Sequence, residues 1–271
     1  MTLATLTDVF RPDRAVGGLV CLGWEDARAY AHAAQSLNVP VILQAGPSCR
    51  DHTPLPVLGA MFRWLAADVD VPVVAHLDHG YDAETCRAAI EAGFTSVMFD
   101  GSKLPLDENI ARTREIVEMA HAAGVSCEGE IGFVGYAEGV ESRGTDPGEA
   151  ARFASETGVD AMAVSVGNTH LQTQAGAGLD EDLIAAIEAV TDVPLVIHGG
   201  SGVPHAQRAR LARTSAIAKF NIGTELRQAF GAALREAVNR DPDRFDRVQI
   251  LRDTQEPVMR AAVAVLRSLK G

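Results

Sequence analysis

The chain has 271 residues, 47% hydrophobic and 22% charged, which suits one large α/β domain or two small ones around a well-buried core. No apolar run reaches the roughly 18 residues of a membrane span, and the N-terminus MTLATLTDVF lacks the basic segment and apolar stretch of a signal peptide, so a cytoplasmic protein is expected. The net charge of −12 and the absence of basic tracts exclude nucleic acid and an acidic membrane surface as main partners; an anionic substrate would have to be attracted locally, by helix N-termini, backbone amides, a metal or single arginines.

Taken in chain order, residues 1–14 predict a short helix lying on the bottom of the fold. Apolar, β-branched runs then recur at 17–23, 40–46, 72–78, 95–101, 125–131, 161–167, 194–200 and 216–223, each followed by a segment of helical period. Pro40, Pro72 and Pro194 open three of these runs as the first strand residue, and Gly93, Gly124 and Gly158 stand where helices should end. Residues 225–270 predict one or two closing helices, with oligomer contacts expected there. Eight alternating strand and helix units in about 250 residues predict a single-domain α/β fold, a (β/α)8 TIM barrel, with an open doubly wound sheet as the alternative. Cys21, Cys49, Cys86 and Cys127 show no CxxC spacing and read as reduced, buried thiols.

In such a barrel the reacting groups sit at the C-terminal ends of the strands. Unusual polar residues collect at six of these ends: Asp78-His79, Asp100-Gly101-Ser102, Glu128-Gly129-Glu130, Asn168-Thr169-His170, His198-Gly199-Gly200-Ser201-Gly202 and Asn221-Ile222-Gly223-Thr224. His79, His170 and His198 converge in this reading on one mouth and match a zinc site with three protein ligands and an open position; each alone would pass for a hydrogen-bonded loop histidine. His76 shares the parity of Asp78 one layer deeper and reads as a satisfied core histidine or as a support for the ligands. Asp100 and Glu130 are either a solvated rim or a second metal position, for a divalent or a monovalent cation. Glu128 is less promising. The glycines of HGGSG and the helix start at NIGTELRQAF suit a phosphate, seated after strands 7 and 8. Residues 132–139 read as a loop able to close over substrate, with Glu138 near its tip as a base or as a solvated acid.

Together HLDHG, SVMFDGSKLPLDENI, EGEIGFVG, HGGSG and FNIGTELRQAF resemble, in order and spacing, the class II metal-dependent fructose-bisphosphate and tagatose-bisphosphate aldolases over residues 38–240. The resemblance implies a zinc-dependent lyase of carbohydrate metabolism that splits a ketose phosphate or bisphosphate reversibly into dihydroxyacetone phosphate and an aldehyde. By motif position it implies His79, His170 and His198 as zinc ligands and Asp100 and Glu130 as further metal-site acids. Asp78 would handle the hydroxyl proton of the bond being cleaved, and Glu138 the proton beside the carbonyl. Gly199, Gly200, Ser201, Asn221, Ile222, Gly223 and Thr224, with Leu171, would hold substrate. It also implies a small-molecule sugar phosphate as partner, with no nucleic acid or membrane, and a homo-oligomer, dimer or tetramer. A Schiff-base mechanism would need a lysine, and of Lys103, Lys219 and Lys270 the strand residue Lys219 reads as structural.

The chain departs from the family on one side. The first strand reads GGLVCLGWE rather than an asparagine-rich turn, Gly46 replaces a serine, Leu171 replaces a glycine, and Gly135-Tyr136 replaces a pair of glycines. These departures predict a less polar or differently sized aldehyde product. Two other functions share most of these features: a metal-dependent sugar-phosphate isomerase or epimerase, and a non-catalytic sugar-phosphate binding protein.

Overall fold

A computed structural model describes residues 2–137, 141–173, 176 and 178–270. A short helix α1 (Leu6–Val9) precedes β1 (Val16–Val20), α2 (Trp24–Leu37), β2 (Val41–Ala45), α3 (Pro47–His52), α4 (Leu55–Asp68), β3 (Val73–Gly80), α5 (Ala83–Glu91), β4 (Ser96–Phe99) and α6 (Leu106–Ala122). Then come β5 (Ser126–Ile131), α7 (Pro147–Thr157), β6 (Ala161–Val164), α8 (Glu181–Glu188), β7 (Leu195–Ile197), a 3-10 turn (Gly200–Gly202), α9 (His205–Thr214), β8 (Ile217–Ile222), α10 (Thr224–Arg240) and α11 (Arg247–Leu269). All neighbouring strands pair in parallel and β1 pairs with β8, which closes an eight-stranded barrel. The open-sheet alternative is thereby excluded. Among the described residues no helix is long and apolar enough to cross a membrane.

Local chemistry sets most of these boundaries. Asp82, Asp146, Asp180 and Asp246 each accept backbone N–H groups at the start of a helix. Gly93, Gly124 and Gly158 all take positive φ at helix ends, a conformation that glycine adopts without a Cβ penalty. The strands begin one residue after Pro40, Pro72 and Pro194, since proline offers no N–H to the ladder. β6 and β7 stop three residues earlier than their apolar runs, because Ser165 onward and His198 onward already turn into the mouth.

Side chains alternate along each strand. One set packs outward against the helices as the main apolar cluster; the other fills the barrel. At the bottom the filling is apolar: Val16, Ile42, Val74, Met98, Ala161, Ala163 and Val196 form one cluster with Leu6 and Val9 of α1, which plug the barrel from below. Above this layer the interior becomes polar, and there the candidate site begins.

Candidate active site at the barrel mouth

The middle layer is a buried chain of charge. Lys219 on β8 donates from Nζ to Glu128 Oε2 at 2.6 Å and to His76 Nε2 at 3.1 Å, and all three side chains are fully buried. Because His76 Nε2 must accept from the ammonium, its proton sits on Nδ1, which donates to Ser96 Oγ at 2.7 Å. Burial and then the Lys219 charge hold the His76 imidazole neutral, lowering it to about 3. Glu128 lies well below the ordinary carboxylate range: burial opposes ionisation, but Lys219 and the hydrogen bond from His198 outweigh it.

Glu128 in turn fixes a histidine at the mouth. Its Oε1 accepts from His198 Nε2 at 3.0 Å, which leaves the lone pair of His198 on Nδ1. That nitrogen faces Glu130 Oε2 at 3.6 Å, and among the described residues neither atom finds a hydrogen-bond partner. Two buried acceptors aimed at one another are unfavourable unless a cation lies between them. His79, His170 and His198 offer ligand atoms within 4.8 Å of one another, and so do His79, Asp100 and Glu130. The donor set, nitrogen and carboxylate oxygen only, fits zinc.

His79 reaches this position by breaking the strand's alternation. In β3, Val74, His76 and Asp78 face inward, so strict parity would turn His79 toward the helices. Instead the β3–β4 register shifts between Leu77 and Gly80, and His79 adopts φ 52. A bulge of this kind re-aims a side chain, at a cost for a left-handed residue of about 1–2 kcal/mol. The imidazole then lies with Nδ1 2.8 Å from Asp100 Oδ2 and 3.9 Å from Glu130 Oε2. Burial works against its charge, but Asp78, Asp100 and Glu130 raise His79 to about 9. Glu130 rises to about 7, through burial and then the Asp100 charge. Ser102 donates to Asp100 from both its N–H and its hydroxyl, which locks that carboxylate.

His170 comes from the loop after β6. Its N–H donates to the Gly135 carbonyl at 2.8 Å, its carbonyl accepts from Ala137 at 3.0 Å, and the Tyr136 ring stacks on its imidazole at 5.0 Å. Asn168 ties the same loop to β7 by donating to the His198 carbonyl at 3.0 Å. Gly199 takes φ 64 where a Cβ would run into the Thr169 carbonyl, so the two loops can meet only through glycine.

Asp78 lines the mouth with Asn221 Nδ2 3.3 Å from its Oδ1. Burial would raise its carboxyl, but the His79 charge holds it below its ordinary value. Beside it are Gly199, Ser201, Gly223 and Thr224, around the N-terminus of the long helix α10. Ser201 Oγ accepts the N–H groups of Gly223 and Glu225, each at 3.3 Å, which leaves its own proton free to donate to an anion. Leu171, at φ 59 and half exposed, forms part of the wall.

Not every expected residue lines the mouth. The Ile222 side chain is buried in the outer apolar core, because it follows Asn221 on the opposite face of β8, and Gly200 faces Ile222 and Phe220 rather than the mouth. Both could serve substrate only through backbone. Glu138 lies outside the described residues. Glu128, which looked unpromising, anchors His198, and Lys219 is the cation that holds it. Arg227, in the first turn of α10, also lines the mouth and has no carboxylate within ion-pair distance among the described residues. Nothing distinguished it in the sequence from the other arginines; its position just past the phosphate-like NIGT segment was the one available signal.

The class-II fructose-bisphosphate aldolase family profile matches residues 2–270. A 6-phospho-5-dehydro-2-deoxy-D-gluconate aldolase of Shouchella clausii is 41% identical over 238 residues, 85% of this chain and 80% of that protein. A fructose-bisphosphate aldolase of Geobacillus stearothermophilus is 36% identical over 269 residues, 97% of this chain and 93% of that one. Among solved structures, the YdjI aldolase of Escherichia coli K12 superposes with a TM-score of 0.84 at 30% identity, covering 97% of this chain and 94% of that chain. With the barrel closed and three histidines at its mouth, the chain belongs to the class II fructose-bisphosphate aldolase family.

Proposed function

We propose that this chain is a zinc-dependent aldolase that reversibly cleaves a ketose phosphate to dihydroxyacetone phosphate and an aldehyde. The observation that carries the reading is the pair of buried, mutually facing acceptors, His198 Nδ1 and Glu130 Oε2, beside His79 and His170. His79, His170 and His198 would hold the metal, with Asp100 and Glu130 available to a second position. A bound zinc ion supplies Lewis acidity that stabilises the negative charge left on dihydroxyacetone phosphate when the carbon–carbon bond breaks.

The chain's own residues do the rest. Asp78, kept ionised, takes the proton from the substrate hydroxyl whose carbon becomes the aldehyde, and returns it in the condensation direction. Glu138 exchanges the proton on the carbon beside the carbonyl. Ser201, the Gly223 segment and the α10 N-terminus hold the phosphate, the local attraction that an acidic chain requires. The aldehyde side is walled by Val20, Pro47, Tyr136 and Leu171, with Arg227 as the one arginine or lysine lining the mouth among the described residues. The less polar wall is therefore accompanied by one charge, which suits a short aldehyde ending in an anion. Both relatives carry names of anionic substrates, a phosphogluconate derivative and a bisphosphate.

Incubating the protein with dihydroxyacetone phosphate in D2O and following deuterium uptake beside the carbonyl by NMR tests the half-reaction. Exchange abolished by EDTA and restored by Zn2+ is expected; metal-independent exchange, or none, sinks the reading. Adding neutral and anionic aldehydes to the same mixture then identifies the acceptor, with faster condensation expected for the anionic ones.

A further inference from the structure

The bulge that re-aims His79 leaves backbone groups without ladder partners, and one side chain takes them up. His76 and Leu77 pair with Ser96 and Val97, and pairing resumes only at Gly80 opposite Phe99, so Asp78 and His79 together face a single β4 residue. Arg50, on α3, donates from Nη1 to the Asp78 carbonyl at 2.7 Å and from Nη2 to the His79 carbonyl at 2.6 Å. A rigid planar fork matches two consecutive carbonyls in a way that a point charge cannot. Among the described residues Arg50 has no carboxylate in ion-pair distance, so its hydrogen bonds go to backbone alone.

We propose that Arg50 is a positioning residue: its guanidinium holds the bulged Asp78-His79 segment, with His79 in the left-handed conformation, so that the His79 imidazole is aimed into the metal site and the Asp78 carboxylate at the mouth. The same helix begins at Gly46-Pro47-Ser48, three residues that line the mouth. Arg50 thus ties the loop after β2, where the chain departs from the family pattern, to the metal ligand on β3. The inference rests on the zinc reading above, since it gives His79 the role of a ligand.

The test uses metal binding rather than turnover. Purified full-length protein is stripped with chelator and titrated with Co2+, reading the visible absorption of the bound ion and the Kd by competition. Arg50→Gln, with its fold checked by circular dichroism, is expected to weaken binding by about 10–100-fold and alter the cobalt spectrum, as loss of groups that orient a ligand does. Arg50→Lys is expected to weaken it by about fivefold or more, and millimolar guanidinium to restore much of the affinity of Arg50→Ala. KM for dihydroxyacetone phosphate should change less than kcat, because the phosphate seat lies on β7 and β8. Arg50→Gln binding Co2+ within twofold of wild type, with an unchanged spectrum, overturns the clamp. If Arg50→Gln does not fold, Arg50→Lys decides by the same criterion. Wild-type protein that binds no Co2+ is a different outcome: it removes the zinc reading and this inference with it.

Discussion

The two sides of the barrel mouth are built on different terms. Over β3, β4, β5 and β7 nearly every polar side chain is fixed by another: Asp100 by Ser102 and His79, His198 by Glu128, and Glu128 by Lys219. Over β8, β1 and β2 the buried amides are left open, since Gln44 Oε1 and Nε2 and Asn221 Oδ1 find no partner among the described residues, and the adjoining loop residue is Gly46. The first side is held by side-chain partners except at His198 Nδ1 and Glu130 Oε2, the two acceptors left to a cation, and such preorganisation is what transition-state stabilisation requires. The second leaves its hydrogen-bonding capacity to whatever enters, which suits recognition.

Breaking the fixed side should have the largest effect. Lys219→Met leaves the Glu128 carboxylate buried without its cation, and loss of one member of such a pair typically costs about 3–5 kcal/mol in stability. Glu128→Gln keeps an acceptor for His198 but loses the charge, and zinc affinity should fall about 10–100-fold. The double variant Lys219→Met with Glu128→Gln should recover most of the stability but not the affinity. Urea denaturation and chelator competition read the two quantities separately. Unchanged affinity in both single variants would show that the buried chain supports the barrel and not the metal ligands.

The legibility of the two sides also differs. Strand count, order and the residues at the strand tops follow from apolar runs, prolines and helix-ending glycines, all local signals, and the barrel agrees with them to within a few residues. Its place at a strand end put His79 at the mouth, although period-two alternation alone turns its side chain outward; the bulge that reverses this depends on β4, roughly 20 residues away. The Lys219–Glu128 pair was invisible for a stronger form of the same reason: its members are 91 residues apart and meet only because the barrel closes. Taken alone, a strand lysine and a strand glutamate look like two isolated buried charges, which sequence patterning disfavours. Arg50 and Arg227 are short-range features of the folded loops: the bonds of Arg50 to two carbonyls have no sequence signature, and only its place after NIGT pointed Arg227 toward the mouth.

On the open side a single charge should act on selectivity. Arg227→Gln is expected to raise KM for an anionic aldehyde by about 10–100-fold, the worth of a hydrogen bond to a charged group, while neutral aldehydes change by less than about twofold. Deuterium exchange into dihydroxyacetone phosphate should change far less, because its phosphate is assigned to Ser201 and the backbone N–H groups at the α10 N-terminus rather than to Arg227. If exchange falls together with anionic-aldehyde condensation, Arg227 belongs to the phosphate seat and the boundary between the two sides must be redrawn.

The smallest effect is expected from Asp26, beneath the open side. Its carboxylate accepts the Leu22 N–H at 3.0 Å in the loop after β1, and it is pushed up from 3.8 to about 6, by burial first and only partly offset by that hydrogen bond and by the Arg227 charge. A folded-state value above the unfolded one means that the stability contributed by the protonated form is fully present below about pH 4 and lost as pH rises through 6. A change from 3.8 to about 6 corresponds to at most about 3 kcal/mol between the protonation states, and relaxation around a loop reduces it. Asp26→Asn should therefore stabilise the protein by about 1–2 kcal/mol at pH 7.5 and flatten its denaturation midpoint between pH 4 and 7. Zinc affinity should stay within about twofold, since nothing on the fixed side touches this carboxylate. A loss of zinc affinity in this variant would mean that strain in the β1 loop reaches the histidines, and that the independence of the two sides is only apparent.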